Sequence, residues 1–468
     1  RIEELAMSLI ADRYASSQMR QIWSRESKVL KERELWITVM KAQAKLGLDI
    51  SKDVLEDYER VKSKIDLSSI DRREAELKHD VKARIEEFNF LAGHQSIHVG
   101  LTSRDVTENI EGWQIKQSLH LTLASSNLLL QELVEKIEKY ADLPIVGRTH
   151  NVPAQLTTLG RRFASWSEEF LFALESLENF ESRFPLKGIK GAIGTGSDLK
   201  SVVGSNWQSI EDSVLESLGI DKALIAPSQI YPRSIDFQVI SSLFQLASPL
   251  ASIATNIRLM AGLGLVAEGK ASSQVGSSAM PHKNNPRLSE RVNALFIVLK
   301  GYLTMASEIS GNQWNEGDVS ESVVRRVALP DAFYCIDAIL RTMTKVVKEM
   351  EINRDKIASE VDFELEYLLS SKVLLIAFEK GVGRESAHRV ILECADKSRA
   401  LNSESFFSLI SKSIELKVSE AELLELKASI EDHVGDAPIQ ARAVLNLIRR
   451  RISNLPGPLN ITLDEISN

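Results

Sequence analysis

A polar loop bounded by prolines contains residue types that suit catalysis. The run Gly276-Ser277-Ser278-Ala279-Met280-Pro281-His282-Lys283-Asn284-Asn285-Pro286 lies between two long helical patterns. Glycine gives the backbone freedom, and Pro281 and Pro286 interrupt helix on both sides of His282 and Lys283. Two adjacent hydroxyls and a lysine supply polar chemistry. The run predicts an active-site loop, and a solvated connector is the alternative.

A second polar segment carries a histidine that can reach a cleft. His150 lies in the run Gly147-Arg148-Thr149-His150-Asn151-Val152-Pro153-Ala154-Gln155, between two proline-limited turns. A histidine in such a position is accessible to a ligand, whereas one buried in a helix usually is not. A purely structural histidine is an equally good interpretation of this segment alone.

Two further histidine motifs precede helical patterns. In His98-x-Gly-x-Thr102-Ser103, adjacent hydroxyls and the backbone amides of a turn suit a carboxylate. Thr102 and Ser103 also suit the N-cap of the helix that follows, and both functions can coexist. His79, in His79-Asp80-Val81, would by itself be interpreted as a surface histidine on a helix.

These motifs together resemble those of the fumarase/aspartase superfamily, whose members break C–N or C–O bonds and release fumarate or a close relative. The run Ser-Ser-Ala-Met-Pro-His-Lys-x-Asn-Pro is similar to the superfamily signature, and its Met-Pro-His-Lys form is most similar to that of the adenylosuccinate lyase family. Gly-Arg-Thr-His, His-x-Gly-x-Thr-Ser, His-Asp-Val and Lys190-Gly191-Ala192-Ile193-Gly194-Thr195 also match. The resemblance implies a lyase of purine biosynthesis that eliminates fumarate from adenylosuccinate to give AMP. It also implies the same elimination from succinyl-aminoimidazole carboxamide ribotide to give aminoimidazole carboxamide ribotide.

The resemblance implies roles for individual residues. Ser277 would be the general base and His150 the general acid of an anti β-elimination, with His79 and Lys283 as further catalytic residues. The residues that it implies for substrate binding are Arg13, Tyr14, His98, Thr102, Ser103, Thr149, Gln229, Arg233, Asn285, Glu290, Arg291, Ser322 and Arg326. It implies neither a metal nor a cofactor.

Four positions depart from the family pattern. Gly317 falls where many members have arginine, Glu321 where histidine is frequent, and Arg325 where glutamate is frequent. These changes suggest that the phosphate site is built differently, with Arg325 or Arg291 as additional ligands. Gln155 replaces a commoner glutamate after the catalytic histidine, so a His–Glu pair that would tune His150 is not expected.

Long amphipathic helices must position these motifs. Five long helical patterns cover residues 106–140, 163–177, 235–266, 288–309 and 319–350, with bends expected at Pro249 and Pro330. Shorter patterns at 19–46, 54–65 and 72–90 precede them. Others follow at 363–380, 384–397, 403–412 and 420–430, and the tail from residue 455 is expected to fray. We find no alternating strand series of useful length. The expected fold is all-α, with helical domains at 1–105, 106–354 and 355–468.

Helices of this length need partners along most of their apolar face, so we expect an oligomer built on a shared helical bundle. The resemblance implies a homotetramer with a multi-helix core and with active sites shared between subunits. The chain has 468 residues, a net charge of −8 and two cysteines. This composition disfavours nucleic-acid or membrane partners and a disulfide framework. Together with the absence of a recognisable secretory signal, the composition favours the cytoplasm. The resemblance implies small-molecule nucleotides as substrates.

Two other functions remain open from the sequence. One is another fumarate-releasing lyase of the superfamily, such as argininosuccinate lyase; the matches at Arg13, Tyr14, Ser322 and Arg326 favour a nucleotide phosphate instead. The other is a catalytically silent helical oligomer. The presence of Ser277, His150, Lys283 and Asn285 argues against it.

Overall fold

The chain folds mainly into helices, as the sequence predicts. The computed structural model describes residues 8–269, 283–401 and 404–455. Its first six helices are α1 (Leu9–Tyr14), α2 (Ser17–Ile22), α3 (Arg25–Lys45), α4 (Lys52–Val61), α5 (Leu67–Leu77) and α6 (Asp80–Ala92).

Two of the predicted early helices are each broken in two. The pattern over 19–46 is interrupted because Ser24 caps a new helix. The pattern over 72–90 is interrupted where α5 ends at Lys78, whose φ of 56° is left-handed, and where His79 caps α6. The interpretation of His79 as a residue on a helix surface was therefore wrong, because the ring lies at a helix start.

The central part contains the five long helices that the sequence predicts, within a few residues at each end. Its elements are α7 (Ser103–Lys139), β1 (Pro144–Thr149), β2 (Val152–Thr158), α8 (Leu159–Arg183), α9 (Ser197–Val203), α10 (Gln208–Leu218), α11 (Ser234–Gly262), β3 (Val266–Ala267), α12 (Arg287–Ile309) and α13 (Ser322–Glu349). Pro249 and Pro330 lie inside α11 and α13, and the bends expected at these prolines stay a prediction.

Shorter helices complete the chain. They are preceded by β4 (Glu351–Ile352), which pairs antiparallel with β3. The helices are α14 (Arg354–Leu368), α15 (Ser370–Glu379), α16 (Arg384–Leu401), α17 (Phe406–Lys412), α18 (Glu420–Ala428) and α19 (Ala437–Ser453), with a 3-10 turn at Ile430–His433. The predicted frayed tail lies outside the described residues, except for Leu455.

The hairpin formed by β1 and β2 was missed by the sequence analysis. The two strands pair antiparallel, with Thr149 opposite Val152, so that His150 and Asn151 form a two-residue turn. Apolar and polar residues alternate only weakly along β1 and β2, because each strand is short and has only a few residues that face a core on one side and solvent on the other. The signal that was available is the run of β-branched residues on both sides of a polar dipeptide.

Within the described residues, three large apolar cores hold these elements, and each of the three combines parts of more than one predicted domain. A fourth, small cluster of Val29, Ile70 and Ala83 lies among the N-terminal helices alone. The largest lies among α7, α8, α11, α12 and α13 and also includes Ala11 of α1 and Ala441 of α19. A second joins the N-terminal helices to the start of α7 and to α10. The third joins the C-terminal helices to Val146 and Leu156 of the hairpin. The division at 105/106 and 354/355 stays a prediction.

Among the described residues, two helices, α11 and α12, are long and apolar enough to cross a membrane by length and composition alone. Both contribute to the largest core of the bundle. More than half of the apolar window of α11 is buried, but less than a third of that of α12. The exposed apolar side chains of α12 include Ile297, Val298 and Met305.

Candidate active site

A large cleft gathers six of the site residues that the sequence analysis singled out. Its volume is about 1050 Å³. The six residues are His79, Thr102, Ser103, Gln229, Ser322 and Arg326. They come from four separate motifs, at the N-termini of α6, α7 and α13 and in the segment before α11. Helix N-termini present free N–H groups and favour anions, so this wall of the cleft suits an anionic ligand.

The N-terminus of α7 is fixed by one buried carboxylate. Asp105 accepts hydrogen bonds from the Thr102 N–H at 3.0 Å and from the Gly191 N–H at 3.1 Å. Its Oδ1 also lies 2.7 Å from the Lys187 Nζ, and both side chains are fully buried. A buried ion pair is stable only when the remaining hydrogen-bonding positions of its carboxylate are also occupied, as they are here. Asp105 therefore holds the Thr102–Ser103 turn against the glycine-rich loop at 190–195.

His98 lies outside the residues that line the cleft and has a defined tautomer. The Trp36 indole donates to its Nδ1 at 3.1 Å. Burial lowers the pKa of His98 to about 4, so that the ring is neutral at physiological pH. Since Nδ1 accepts a hydrogen bond, the proton must be on Nε2. His98 therefore can donate a hydrogen bond but does not act as a cation.

The first turn of α13 presents its two predicted ligands differently. The Ser322 hydroxyl donates to the Val319 carbonyl at 2.6 Å. The Arg326 side chain is 69% exposed, and its Nη2 lies 3.8 Å from Asp80 Oδ2. An exposed, loosely paired arginine can turn toward an anion without leaving a buried charge behind.

A buried charge network lies behind this cleft wall and contains two of the four positions that depart from the family pattern. We define it as Glu108, Glu111, Arg233, Asp236, Glu321 and Arg325. The Arg233 guanidinium contacts both oxygens of Glu108 at 2.9 Å and Glu321 at 2.9 Å. Arg325 is 4% exposed and donates to Asp236 and Glu111, each at 2.8 Å.

The network explains two departures and changes the expected role of Arg325. Glu321 and Arg325 are both committed to ion pairs, so the guanidinium of Arg325 is not available as an additional phosphate ligand. Burial alone would raise the pKa of Glu111, but Lys28 and Arg325 hold it well below its usual range, and the carboxylate stays ionised. Arg233 was predicted to bind substrate; its side chain is buried among carboxylates, and the prediction stays untested.

The backbone conformation at Gly317 explains the third departure, because it favours glycine. Its φ is 132°, and a Cβ there would lie 2.9 Å from Ile230 Cγ1. An arginine at this position would need a different local backbone. Gln155, the fourth departure, lies on β2 opposite Gly147.

The remaining predicted residues lie in two other places. Arg13, Tyr14 and Arg291 form one group: the Arg291 and Arg13 guanidiniums lie 5.2 Å and 5.8 Å from the centroid of the Tyr14 ring. Asn285 and Glu290 belong to the same end of α12, and Lys283 just before it is exposed.

The second place is the tip of the β1–β2 hairpin, which carries Thr149 and His150, both exposed. Neither group lines the cleft of the same chain. Ser277 and His282 lie outside the described residues. Within the described residues, one chain thus brings six of the predicted residues together in this cleft.

Several cleft residues had no motif to indicate them. Four further cations line the cleft: Arg25, Lys28, Arg84 and Arg104. Thr107 also lines it, and its buried hydroxyl has no hydrogen-bond partner in the part of the chain that the structure describes. Thr107 follows Ser103 by four residues and so shares its helix face, which was the available signal. Within the described ranges, no group of His, Cys, Asp or Glu has the geometry to hold a metal ion.

Replacing Arg325 by methionine tests the buried charge network. The change leaves Asp236 without its closest guanidinium and Glu111 with Lys28 alone, and removal of one partner of a buried ion pair costs roughly 3–5 kcal/mol. We expect a thermal midpoint, followed by circular dichroism, that is many degrees lower. The matched control is Arg326→Met, which removes an exposed guanidinium one residue away and should change stability by less than about 1 kcal/mol. Equal midpoints for the two variants would contradict this account.

The chain is similar in sequence to known lyases. The profile of a family described as lyase matches residues 10–300. Adenylosuccinate lyase of Saccharomyces cerevisiae is 31% identical over 405 residues, which are 84% of this chain and 84% of that protein. Adenylosuccinate lyase of Pyrococcus horikoshii is 30% identical over 451 residues, which are 95% of this chain and 98% of that protein.

Solved structures share the fold at lower identity. The crystal structure of 3-carboxy-cis,cis-muconate lactonizing enzyme from Pseudomonas putida has a TM-score of 0.83 at 20% identity and covers 95% of this chain and 99% of that chain. A fumarate lyase from Mesorhizobium has a TM-score of 0.80 at 19% identity, covering 93% and 98%. The family profile matches more than half of the chain, and the match to the Pyrococcus horikoshii relative covers 95% of it. The chain therefore belongs to the lyase family that includes these adenylosuccinate lyases.

Proposed function

We propose that this chain eliminates fumarate from adenylosuccinate to give AMP, and from succinyl-aminoimidazole carboxamide ribotide to give aminoimidazole carboxamide ribotide, in purine biosynthesis. The observation that carries the proposal is the convergence of four separate motifs on one cationic cleft. The motifs belong to a chain whose relatives are named adenylosuccinate lyases over most of its length.

The reaction requires a base and an acid on opposite faces of the substrate. The base removes the proton from Cβ, and the electron pair left behind is delocalised into the adjacent carboxylate. That pair then forms the C=C bond of fumarate as the C–N bond breaks. The acid gives its proton to the leaving nitrogen, so that the product is the free amine.

The cleft supplies binding groups for the anionic parts of this substrate. Thr102 and Ser103, at the N-terminus of α7, suit a succinyl carboxylate because free N–H groups and hydroxyls converge there. Ser322 and Arg326, on the first turn of α13, suit the phosphate. The Arg326 guanidinium is exposed and can form two parallel hydrogen bonds with it.

His150 is the proposed acid and Ser277 the proposed base. A serine hydroxyl is protonated at neutral pH, so its alkoxide must be stabilised by the Lys283 ammonium and by backbone N–H groups in a site closed to water. His79, at the N-cap of α6, lines the same cleft as Thr102 and is proposed to assist.

We propose a homotetramer in which each active site combines residues from more than one subunit. His150 and the Arg13, Tyr14 and Arg291 group lie outside the cleft of their own chain. They can complete a site only if another subunit contributes them. The exposed apolar face of α12 supports the same assembly, because such a face in water needs a partner. We propose the cytoplasm as the location, where these nucleotides are made.

The alternative substrate argininosuccinate has less support than adenylosuccinate. The cleft is lined by cations and by carboxylates: Arg25, Lys28, Arg84, Arg104, Arg325 and Arg326 stand beside Glu74, Asp80, Glu111 and Asp331. Its charges alone do not exclude a ligand with a guanidinium, so the choice of substrate rests on the relatives, which are named adenylosuccinate lyases.

The test of the proposed function is an absorbance assay of the purified chain with adenylosuccinate, and with argininosuccinate in parallel. We expect turnover of the first only. Ser277→Ala and His150→Ala should each lower kcat at least ~100-fold, with substrate binding retained, because each removes one proton-transfer group. The control Ser176→Ala removes an exposed hydroxyl that donates to its own helix, on α8, and should keep full activity. Near-normal kcat in either site variant would refute that residue's role, and turnover of argininosuccinate alone would refute the substrate.

Light scattering tests the proposed assembly. At micromolar concentration, we expect a mass close to four times the 52.2 kDa of one chain. A double substitution on the exposed face of α12, Ile297→Asp with Met305→Asp, should lower that mass, because it buries charges in the interface. A monomeric mass for the unmodified chain would contradict shared sites.

A further inference from the structure

The turn that displays His150 has an unfavourable backbone. His150 has a φ of 52° and Asn151 a φ of 62°, so both central residues of the hairpin turn are left-handed. Residues with a Cβ rarely adopt this region, although asparagine tolerates it better than histidine. Both side chains are exposed, so packing around them contributes little to holding the turn. Contacts below the turn must hold it.

Arg148 provides such a contact from inside the hairpin. Its Nη1 donates to the carbonyl oxygen of Asn151 at 3.3 Å, across the turn. Its Nη2 forms an ion pair with Glu360 Oε1. A planar guanidinium can serve two acceptors in fixed directions, which the point charge of a lysine cannot do. Arg148 therefore links the turn to another element.

That other element is α14, which carries Glu360. The side chains of Arg148 and Glu360 are 21% and 13% exposed, so the pair is shielded from solvent more than a surface ion pair. The hairpin is already joined to the C-terminal helices through Val146 and Leu156. Glu360 thus connects the tip of the hairpin to a body that is held firmly by its own core.

A second guanidinium stabilises the Glu360 side of this link. Arg162 of α8 donates to the Val146 carbonyl at 3.1 Å. Burial lowers the pKa of Arg162 to about 10, although the nearby Glu360 opposes the shift, and the group stays charged at neutral pH. Glu360 therefore lies near two guanidiniums, those of Arg148 and Arg162.

We propose that Arg148 and Glu360 are positioning residues, which orient the His150 imidazole by fixing the His150–Asn151 turn to α14. The inference rests on the proposed function, in which His150 donates the proton to the leaving nitrogen. Neither residue touches the substrate in this proposal. Their effect is on where the imidazole lies, so they should influence the chemical step and leave substrate affinity nearly unchanged.

Glu360→Gln and Arg148→Lys test this proposal in the assembled enzyme. Each keeps the size of the side chain and removes the directed ion pair. Because displacement of a catalytic group by about 1 Å can cost ~100-fold in rate, we expect kcat to fall by about 10- to 100-fold. KM, the thermal midpoint and the mass in solution should stay close to those of the unmodified chain. The matched control is Asp142→Asn, which breaks the exposed Asp142–Arg442 ion pair at the base of the same hairpin and should keep full activity.

The outcomes separate the positioning role from the proposed function. If His150→Ala loses activity and Glu360→Gln keeps kcat within about two-fold, the positioning role is wrong and the function stands. If the loss of kcat in Glu360→Gln is accompanied by a fall of many degrees in the thermal midpoint, the pair is a structural contact only, and the positioning role is wrong. The same holds if Asp142→Asn loses kcat to the same extent as Glu360→Gln. Normal activity in His150→Ala overturns both proposals. A selective loss of kcat in Glu360→Gln and Arg148→Lys supports the inference.

Discussion

The cleft depends on a buried charge network between α7, α11 and α13. Its carboxylates, Glu108, Glu111, Asp236 and Glu321, are matched by Arg233 and Arg325, with Lys28 and Arg104 at its edge. Removing such charges from water costs several kcal/mol each, and only close geometry offsets that cost. The network therefore permits few arrangements of the three helices. Ser322 and Arg326 flank Arg325 on the first turn of α13, so their position relative to the start of α7 is set by the same ion pairs.

A second buried ion pair fixes the start of α7. Asp105 joins it to the glycine-rich loop, and the Asp105 side chain is fully buried. The groups that we propose to bind the anionic parts of the substrate are therefore held in place within one chain before any ligand binds. The proposed acid is held in another way, on an exposed hairpin that is attached to the C-terminal core. The cleft and the hairpin tip that carries His150 are thus separate places in one chain, which is the reason for our proposal of sites shared between subunits.

Sequence patterns predicted the parts of this structure that follow from local periodicity. The five long helices were found because apolar residues recur every three or four positions over several turns. The breaks at Ser24 and His79 were missed because a single capping residue interrupts an otherwise continuous pattern. Six residues of the cleft were found by resemblance to family motifs, whereas Arg25, Lys28, Arg84, Arg104 and Thr107 were not. The pairing of Glu321 with Arg233 and of Arg325 with Asp236 could not be found, because these residues are 88 and 89 positions apart and only the fold brings them together.

The central claim is that His150 and Ser277 act in one site from different subunits. Subunit mixing tests it most directly: His150→Ala and Ser277→Ala chains are unfolded, mixed in equal amounts and refolded together, and turnover of adenylosuccinate is measured against each variant refolded alone. If the two residues come from different subunits, about a quarter of the sites in random mixed oligomers are intact, and activity should return to that fraction of the unmodified enzyme. If both come from the same subunit, every site contains a lesion. Mixed oligomers that form, verified by two different tags, and stay as inactive as their parents would contradict the account.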